Sequence, residues 1–237
     1  MPRTDRTAET MRPIQIRRHY TKNPHGSVLI SFGDTVVLCT ATVDQGVPPW
    51  LRGGGRGWVT AEYAMLPGSA SGGRISRDAT KKGRALEISR LIGRSLRSVI
   101  DLAALGERQV IVDCDVIQAD GGTRTAAVTG GYVALHDAMS GLVAQGVLPV
   151  SPMAGQCAAV SVGIVEGVPL VDLCYIEDSS AEVDLNLVMK DGGGIIELQG
   201  TAEREPFSRG LLDTMLDMGQ GAIQELFALQ REALARD

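Results

Sequence analysis

Apolar positions along the chain alternate between strand-like and helix-like spacing. Residues 27–43 form two runs rich in β-branched side chains, separated by a Gly-Asp pair, and this pattern predicts a β-hairpin. Residues 84–100 instead place apolar side chains three and four positions apart with arginines between them, as in an amphipathic helix. A strand over 109–118 and a second helix over 123–139 are predicted to follow. The first part of the chain therefore combines a sheet with two helices.

Similar elements are predicted in the second part of the chain. Strand patterns cover residues 157–164 and 168–176, a second hairpin is centred on 190–194, and a helix begins near residue 208. In that last helix an apolar stripe is expected to face the core or another subunit. The order of elements predicts an α/β (α+β) fold in which mixed sheets pack against helices.

A connector with two prolines, residues 148–152, separates these two parts. We therefore divide the chain into residues 1–150 and 151–237 and expect them to form one compact unit. The length of 237 residues is enough to bury a large core without disulfides. With 44% apolar residues and 29 glycines, the composition is typical of an enzyme-like domain with many tight turns.

The composition also bears on the expected cellular location and on which metal and nucleic-acid sites are expected. No apolar run approaches the roughly 20 residues of a membrane span, and the N-terminus lacks the apolar stretch of a signal peptide, so we expect a cytoplasmic protein without a membrane partner. The four cysteines lack metal-ligand spacing and are predicted to be reduced core residues, while the three histidines are scattered. The net charge of −5 disfavours a general nucleic-acid coat, although arginine and lysine concentrate between residues 74 and 97.

The segment Asp120-Gly121-Gly122-Thr123-Arg124 lies between a predicted strand and a predicted helix. Glycines allow a tight turn with bare N–H groups, a helix start adds unsatisfied donors, and an arginine fork matches phosphate oxygens. The segment therefore indicates a phosphate cradle. On this segment alone, an ordinary turn followed by a solvated arginine remains an equal alternative.

A second candidate site is acidic, because Glu177, Asp178, Glu182 and Asp184 fall within eight residues. On a straight strand the two aspartates would lie roughly 20 Å apart, too far to share a metal. The turn-forming serines after Asp178 favour a bend that would bring the aspartates together. Oxygen ligands of this kind suit Mg²⁺ or Mn²⁺, and a solvated acidic turn is the alternative. Phosphate and a divalent ion together favour phosphoryl or nucleotidyl transfer.

Several longer segments match the motifs of one family in the family's order. They are GSVLISFGDTVVLCTATV, RGWVTAEYAMLP, GRALEISRLIGRSLR, VDCDVIQADGGTRTAAVTGGYVALHDA, EDSSAEVDLNLVM and ELQGTAE. Over nearly its whole length the sequence thus resembles ribonuclease PH. The resemblance implies a fold of duplicated units like the second domain of ribosomal protein S5, assembled as a homohexameric ring.

The same resemblance implies an activity. Members of this family are phosphate-dependent exoribonucleases that trim the 3′ ends of tRNA precursors, transfer the terminal nucleotide to inorganic phosphate and release nucleoside diphosphates. The reaction is reversible, and ribosomal RNA 3′ ends are a further expected substrate. A non-catalytic, RNA-binding ring subunit of an exosome-like assembly is the alternative, although such a subunit would have no reason to retain the phosphate-binding and acidic residues together.

Site residues are carried over from the family at matching positions. Arg84, Gly122, Thr123 and Arg124 are expected to bind the attacking phosphate. Asp178 and Asp184 match the family's acidic pair and are expected to bind Mg²⁺ and to act in catalysis, with the larger role for Asp184.

The chain departs from the family in the loop after Leu66-Pro67, where many members have basic residues. Here a Gly/Ser-rich stretch, residues 68–73, comes first. Arg74 and Arg77 are the expected RNA contacts, together with Lys81 and Lys82. A solvated loop is the alternative for each of them.

Overall fold

The computed structural model describes residues 3–78 and 83–236 and contains two β-sheets. The first sheet has the spatial order β1-β2-β3-β5-β4. Its strands are β1 (Ile14–Arg18), β2 (Gly26–Phe32), β3 (Thr35–Gln45), β4 (Trp58–Met65) and β5 (Arg108–Gln118). Neighbouring strands are antiparallel except β4 and β5, which are parallel. The predicted first hairpin is confirmed, whereas β1 and β4 were not predicted.

The second sheet is antiparallel, with the spatial order β7-β6-β8-β9. Its strands are β6 (Cys157–Val165), β7 (Val168–Val171), β8 (Val183–Lys190) and β9 (Ile195–Ala202). The strand predicted over 168–176 is wrong beyond Val171. Asp172 adopts a positive φ of 55°, and its buried carboxylate accepts hydrogen bonds from Arg12, so the chain turns away from the sheet.

Five α-helices accompany the sheets in the described residues. They are α1 (Arg84–Arg97), α2 (Leu102–Leu105), α3 (Thr123–Ala144), α4 (Tyr175–Ser180) and α5 (Arg209–Ala235), with a short 3₁₀ turn at Pro49–Leu51. Helices α1, α3 and α5 agree with the predicted helices, with shifts of a few residues at their ends. No described helix combines the length and the apolar character that crossing a bilayer requires.

Helix α3 is the central element of the fold, because it packs on β2 and β3 of the first sheet and on β6 of the second. Small residues allow this close packing on two sides. At Gly130 a Cβ atom would lie 2.6 Å from Cγ2 of Ile30, so any larger residue would push the helix from the sheet. Side chains from both sheets join α3 in one continuous apolar core. The N-terminus of α3 is thereby held at a fixed position between the two sheets.

The remaining helices cover the outer surfaces of the sheets. Helix α1 packs on β4, and α5 packs on β6 and β8 with Met215, Ile223, Leu226 and Phe227 fully buried. All four cysteines are free, and three of them are buried, while Cys174 is partly exposed. The prediction of core cysteines is thus confirmed for Cys39, Cys114 and Cys157 but not for Cys174, and the apolar stripe of the last helix is confirmed.

Candidate active site

A cavity of about 670 Å³ opens where the first sheet meets helix α4. The ends of the parallel strands β4 and β5 lie at this edge, so the segment after β5 and the start of α1 come together here. The predicted residues that line the cavity are Arg84, Gly122, Thr123, Arg124, Asp178 and Asp184. The structure therefore brings the predicted phosphate-binding residues and the acidic residues, which lie up to 100 positions apart in the sequence, into one cavity.

The turn before α3 has the geometry of an anion cradle. Gly121 and Gly122 have φ of 74° and 65°, and Gly122 is the N-cap of α3 without a side chain that caps the helix. Backbone N–H groups of the first helical turn thus remain available to a ligand. A Cβ atom on Gly121 would lie 2.4 Å from the carbonyl oxygen of Leu173, so only glycine fits between this turn and the segment before α4.

Three side chains fix the turn in place. The Thr35 hydroxyl donates to the Gly121 carbonyl at 2.6 Å and accepts from the Asp120 N–H at 2.9 Å. The Tyr63 hydroxyl shares a hydrogen bond of 2.8 Å with Thr123, and burial raises the pKa of this tyrosine. Arg12 donates to the Asp120 carbonyl. The turn is therefore preorganised before any ligand binds.

Two arginines extend into the same cavity from different helices. Arg84 is the first residue of α1, whose N-cap Gly83 also provides no side-chain cap. Across the described residues Arg84 forms no ion pair. Arg124 Nη1 donates to Gln199 Oε1 at 2.5 Å and lies 3.6 Å from Glu87 Oε1. Among the described residues Arg84 therefore has no ion-pair partner, although its charge acts on Asp178 and Asp184 at longer range.

The two aspartates reach the cavity from helix α4 and from the second sheet. Asp178 lies on α4, and Asp184 lies on β8, where its backbone pairs with Gly163 and Thr201. Helix α4 provides the bend that the serines after Asp178 predict, so both carboxylates line one cavity. Burial raises the pKa of both aspartates, and the charge of Asp178 raises that of Asp184 further. The guanidinium groups of Arg84 and Arg124 partly oppose these shifts.

Sequence comparison identifies the family to which this geometry belongs. Residues 10–140 match the model for domain 1 of the 3′ exoribonuclease family, RNase PH, and residues 155–222 match the model for domain 2. The chain belongs to the 3′ exoribonuclease family of ribonuclease PH. A 3′ exoribonuclease family agrees with a cavity that combines an anion cradle with carboxylates.

Several solved structures share the fold. Rice (Oryza sativa) Rrp46 is 19% identical, with a TM-score of 0.76 over 96% of this chain and 97% of that chain. An Archaeoglobus fulgidus exosome with RNA bound to the active site is 19% identical, with a TM-score of 0.79 over 94% and 90%. An archaeal exosome core is 20% identical, with a TM-score of 0.76 over 95% and 89%. At this identity the likeness concerns the fold.

Glu177 and Glu182 do not line the cavity of this 3′ exoribonuclease-family chain, although both belong to the acidic segment. The Glu177 carboxylate accepts hydrogen bonds from Arg3 at 2.6 and 2.8 Å and from the Cys174 N–H at 2.9 Å. Burial alone would raise its pKa, but these bonds outweigh burial and lower the pKa to about 2. Glu177 is therefore a structural residue that anchors the start of α4.

The amino-terminal arginines form a buried network that the sequence did not reveal. Arg12 donates three hydrogen bonds to Asp172, and Arg6 forms ion pairs with Asp172 and Glu177. Asp120 links this network to α4, because its Oδ1 accepts from the Tyr175 N–H at 3.1 Å. The network thus ties the turn before α3 to the helix that carries Asp178. Arginines spaced irregularly before the first strand gave no pattern from which these contacts could be predicted.

The aspartate pair is compatible with a Mg²⁺ ion. Asn186 Nδ2 donates to both carboxylate oxygens of Asp184 at 3.4 Å, and no group of three or more His, Cys, Asp or Glu side chains suited to a metal occurs in residues 3–78 and 83–236. Two carboxylates are nevertheless a sufficient donor set for Mg²⁺, which keeps most of its water ligands. A cation between them would relieve the repulsion that raises the pKa of Asp184.

The expected RNA contacts lie next to the cavity. Arg74 and Arg77 are exposed on the segment whose residues 70–72 and 75 line it, whereas Lys81 and Lys82 lie outside the described residues. Tyr175, which is 52% exposed, and Arg204 also line the cavity and were not predicted. Their positions depend on the helical turn of α4 and on the end of β9, neither of which the local sequence indicates.

Proposed function

We propose that this protein is a phosphorolytic 3′-to-5′ exoribonuclease that trims extra 3′ nucleotides from tRNA precursors. Ribosomal RNA 3′ ends are a further substrate in this proposal. One observation carries it: two helix starts that no side chain caps, two arginines and two carboxylates all open into one cavity. Phosphate and the phosphodiester to be cleaved can then be held next to each other.

Inorganic phosphate would bind at the start of α3. The N–H groups of the first turn and the two guanidinium groups of Arg84 and Arg124 supply charge-assisted hydrogen bonds to its oxygens. Each such bond contributes about 1.5 to 3 kcal/mol, so this donor set suffices for millimolar affinity. Prior binding of the nucleophile removes much of the entropic cost of the encounter.

In the reaction, a phosphate oxygen forms a bond to the phosphorus of the terminal phosphodiester. The bond from that phosphorus to the 3′ oxygen of the preceding nucleotide breaks, which releases a nucleoside diphosphate and leaves an RNA one nucleotide shorter. The leaving 3′ oxygen takes up a proton. Asp184 would act either as the proton donor or as a metal ligand, with Asp178 in support, and the direction in which burial shifts its pKa, upward, is the one that a proton donor needs.

In their ionised forms Asp178 and Asp184 would hold Mg²⁺, in agreement with their donor chemistry. When bound, the ion neutralises negative charge on the phosphodiester. Arg84 and Arg124 contribute in the same direction, since they stabilise the charge that develops on the equatorial oxygens. In the reverse direction the same groups would position a nucleoside diphosphate against an RNA 3′ hydroxyl.

Two further parts of the proposal rest on the family resemblance. Ribonuclease PH motifs over nearly the whole chain support tRNA precursors as substrates and a homohexameric ring, a trimer of dimers, as the working assembly. Native mass spectrometry of the purified protein measures the assembly directly. A mass other than that of six chains would contradict the homohexamer.

The activity is tested with a tRNA that carries a few extra 3′ nucleotides. The RNA is incubated with the protein and Mg²⁺, with and without inorganic phosphate, and the released nucleotides are identified by chromatography. Diphosphates that form only with phosphate are the expected result. Monophosphates formed without phosphate would identify a hydrolase and contradict the proposal.

The second candidate function is a non-catalytic ring subunit, favoured by the likeness of the fold to exosome subunits. Such a subunit binds RNA but releases no nucleotide under either condition. Retention of Arg84, Arg124, Asp178 and Asp184 around one cavity favours the catalytic function. Binding of RNA without release, by a protein that is folded and assembled, would establish the ring subunit.

A further inference from the structure

A second cavity, of about 410 Å³, lies behind Arg124 and has no part in the proposed reaction. Arg124 and Asp184 line both this cavity and the active-site cavity, so they lie at the boundary between the two. The second cavity is also lined by Glu87 from α1 and Gln199 from β9, which do not line the active-site cavity. Both side chains therefore approach Arg124 from the side of the second cavity.

The side chains of Glu87, Gln199 and Arg124 form a chain of hydrogen bonds. Gln199 Nε2 donates to Glu87 Oε1 at 2.8 Å, and Gln199 Oε1 accepts from Arg124 Nη1 at 2.5 Å. Glu87 Oε1 itself lies 3.6 Å from Arg124 Nη1, which is beyond hydrogen-bonding distance. Only this orientation of the Gln199 amide satisfies both neighbours, since the reversed amide would place its N–H groups against the guanidinium. The carboxylate thus fixes the amide, and the amide fixes the arginine.

These contacts hold Arg124 but leave most of its donors for a ligand. Among the described residues, Nε and Nη2 of Arg124 donate to no protein acceptor. Together these two atoms present a parallel pair of N–H groups, which matches two oxygens of a phosphate. Because the Gln199 amide is neutral, it orients the guanidinium without cancelling its charge. A carboxylate at the same place would form an ion pair with Arg124 and compete with phosphate.

The chain of hydrogen bonds also connects the helix starts at the active-site cavity. Glu87 lies in the first turn of α1, three residues after Arg84, and Arg124 lies in the first turn of α3. Gln199 joins them from β9 of the second sheet. The Glu87 side chain is 41% exposed, so its replacement leaves no void in the core. The contribution of this chain to the site can therefore be tested without loss of the fold.

We propose that Glu87 and Gln199 are positioning residues that hold Arg124 in the orientation that binds phosphate. Neither residue touches the reacting atoms in this role. An arginine side chain that rotates freely must be immobilised when phosphate binds, at an entropic cost equivalent to about a tenfold loss of affinity. The inference rests on the proposed phosphate site, but its test measures binding of inorganic phosphate without turnover.

Positioning and simple electrostatics predict opposite effects of removing Glu87. A carboxylate close to a phosphate site repels the anion, so its loss alone would tighten phosphate binding. If Glu87 instead fixes Gln199 and through it Arg124, Glu87→Ala should weaken phosphate binding about tenfold. Glu87→Gln keeps an oxygen that accepts from Gln199 and should recover most of the affinity. Equilibrium dialysis with radiolabelled inorganic phosphate, in EDTA and without RNA, measures these affinities.

Variants of Gln199 test the second link of the chain. Gln199→Ala should weaken phosphate binding as much as Glu87→Ala does, and the double variant should lose little more, because both residues act through one contact. Gln199→Glu should weaken phosphate binding further, since its carboxylate would neutralise Arg124. The affinity of both alanine variants for a labelled oligoadenylate should equal that of wild type in an anisotropy titration. A general loss of structure would lower both affinities and would overturn the positioning role.

Glu197→Ala is the matched control. It removes a carboxylate of β9 that pairs with Arg94, about two turns beyond Glu87 on α1, and leaves the contacts of Arg124 in place. This variant should bind phosphate as wild type does. Unchanged or tighter phosphate binding in Glu87→Ala would overturn the positioning role, as would equal losses in Glu87→Ala and Glu197→Ala. A wild-type protein that binds no phosphate would contradict the proposed function itself, and the positioning role with it.

Discussion

Two adjacent carboxylates on helix α4 have opposite electrostatic environments. The pKa of Glu177 falls to about 2, because hydrogen bonds from Arg3 and from backbone N–H outweigh the effect of burial. The pKa of Asp178 rises, because burial outweighs the more distant charges of Arg84 and Arg124. Within one helical turn, the Glu177 carboxylate thus lies in the neutralised arginine network and the Asp178 carboxylate lies in the cavity.

The difference shows how the protein separates structural charges from charges available to ligands. Arg3 and Glu177 are nearly inaccessible, with side chains 2% and 8% exposed, and they satisfy one another. Around the cavity, Arg84 has no ion-pair partner in the part of the chain that the structure describes. A binding site for phosphate and a cation needs such unsatisfied charges, and the paired network beside it supplies the stability.

The largest expected effect is a loss of turnover when a carboxylate in the cavity is removed. Asp184→Asn should lower turnover about a thousandfold, the range typical of removing a general acid, while the fold is retained. Phosphorolysis measured by diphosphate release checks the rate, and circular dichroism checks the fold. Asp113→Asn is the matched control, since burial also raises the pKa of this strand aspartate outside the cavity. Near-normal turnover of Asp184→Asn would remove Asp184 from the chemistry.

The second-largest expected effect is a loss of stability when the buried pair of Arg3 and Glu177 is broken. Glu177→Gln should lower the free energy of unfolding by about 3 kcal/mol, because it leaves the Arg3 guanidinium buried without its counter-charge. Urea denaturation at neutral pH measures this. Glu182→Gln, from the same acidic segment but with no ion pair among the described residues, should change the unfolding free energy little. Equal stability of the two variants would show that the Arg3 pair contributes nothing.

The same comparison explains what could be predicted from the sequence. The hairpin at 27–43 and the helices α1 and α3 follow from local spacing of apolar residues, and the bend after Asp178 follows from its serines. The pairing of Glu177 with Arg3 depends on contacts between residues 174 positions apart, which no local pattern encodes. Strand β7 was predicted too long for the same reason, because the Asp172 carboxylate bonds to the distant Arg12.

The third effect is on phosphate binding. Arg124→Ala should raise the phosphate concentration needed for half-maximal rate about 10- to 100-fold, the equivalent of one charge-assisted contact, and leave RNA affinity nearly unchanged. Initial rates at varied phosphate, with RNA in excess, give this value. Arg94→Ala, which removes a surface ion pair with Glu197 on another turn of α1, is the control. If Arg124→Ala leaves the phosphate concentration for half-maximal rate unchanged, the proposed phosphate site at the start of α3 is contradicted.

The last comparison is the pH dependence of stability, which should differ in sign between the two carboxylates and includes the smallest effect, that of Asp178. A lowered pKa means that the Glu177 contribution is complete above the ordinary carboxyl pKa, about 4.3, and is lost as the pH falls toward 2. Wild type should therefore exceed Glu177→Gln in stability at neutral pH, with the difference closing in acid.

For Asp178, whose pKa is raised, the ionised carboxylate opposes folding, so Asp178→Asn should be slightly more stable than wild type at neutral pH without Mg²⁺. That difference should also vanish in acid, because wild type then carries the neutral carboxyl group. Thermal unfolding from pH 3 to 8 measures both differences. If Asp178→Asn loses stability at neutral pH as Glu177→Gln does, then Asp178 belongs to the paired network and the contrast between the two faces of α4 does not hold.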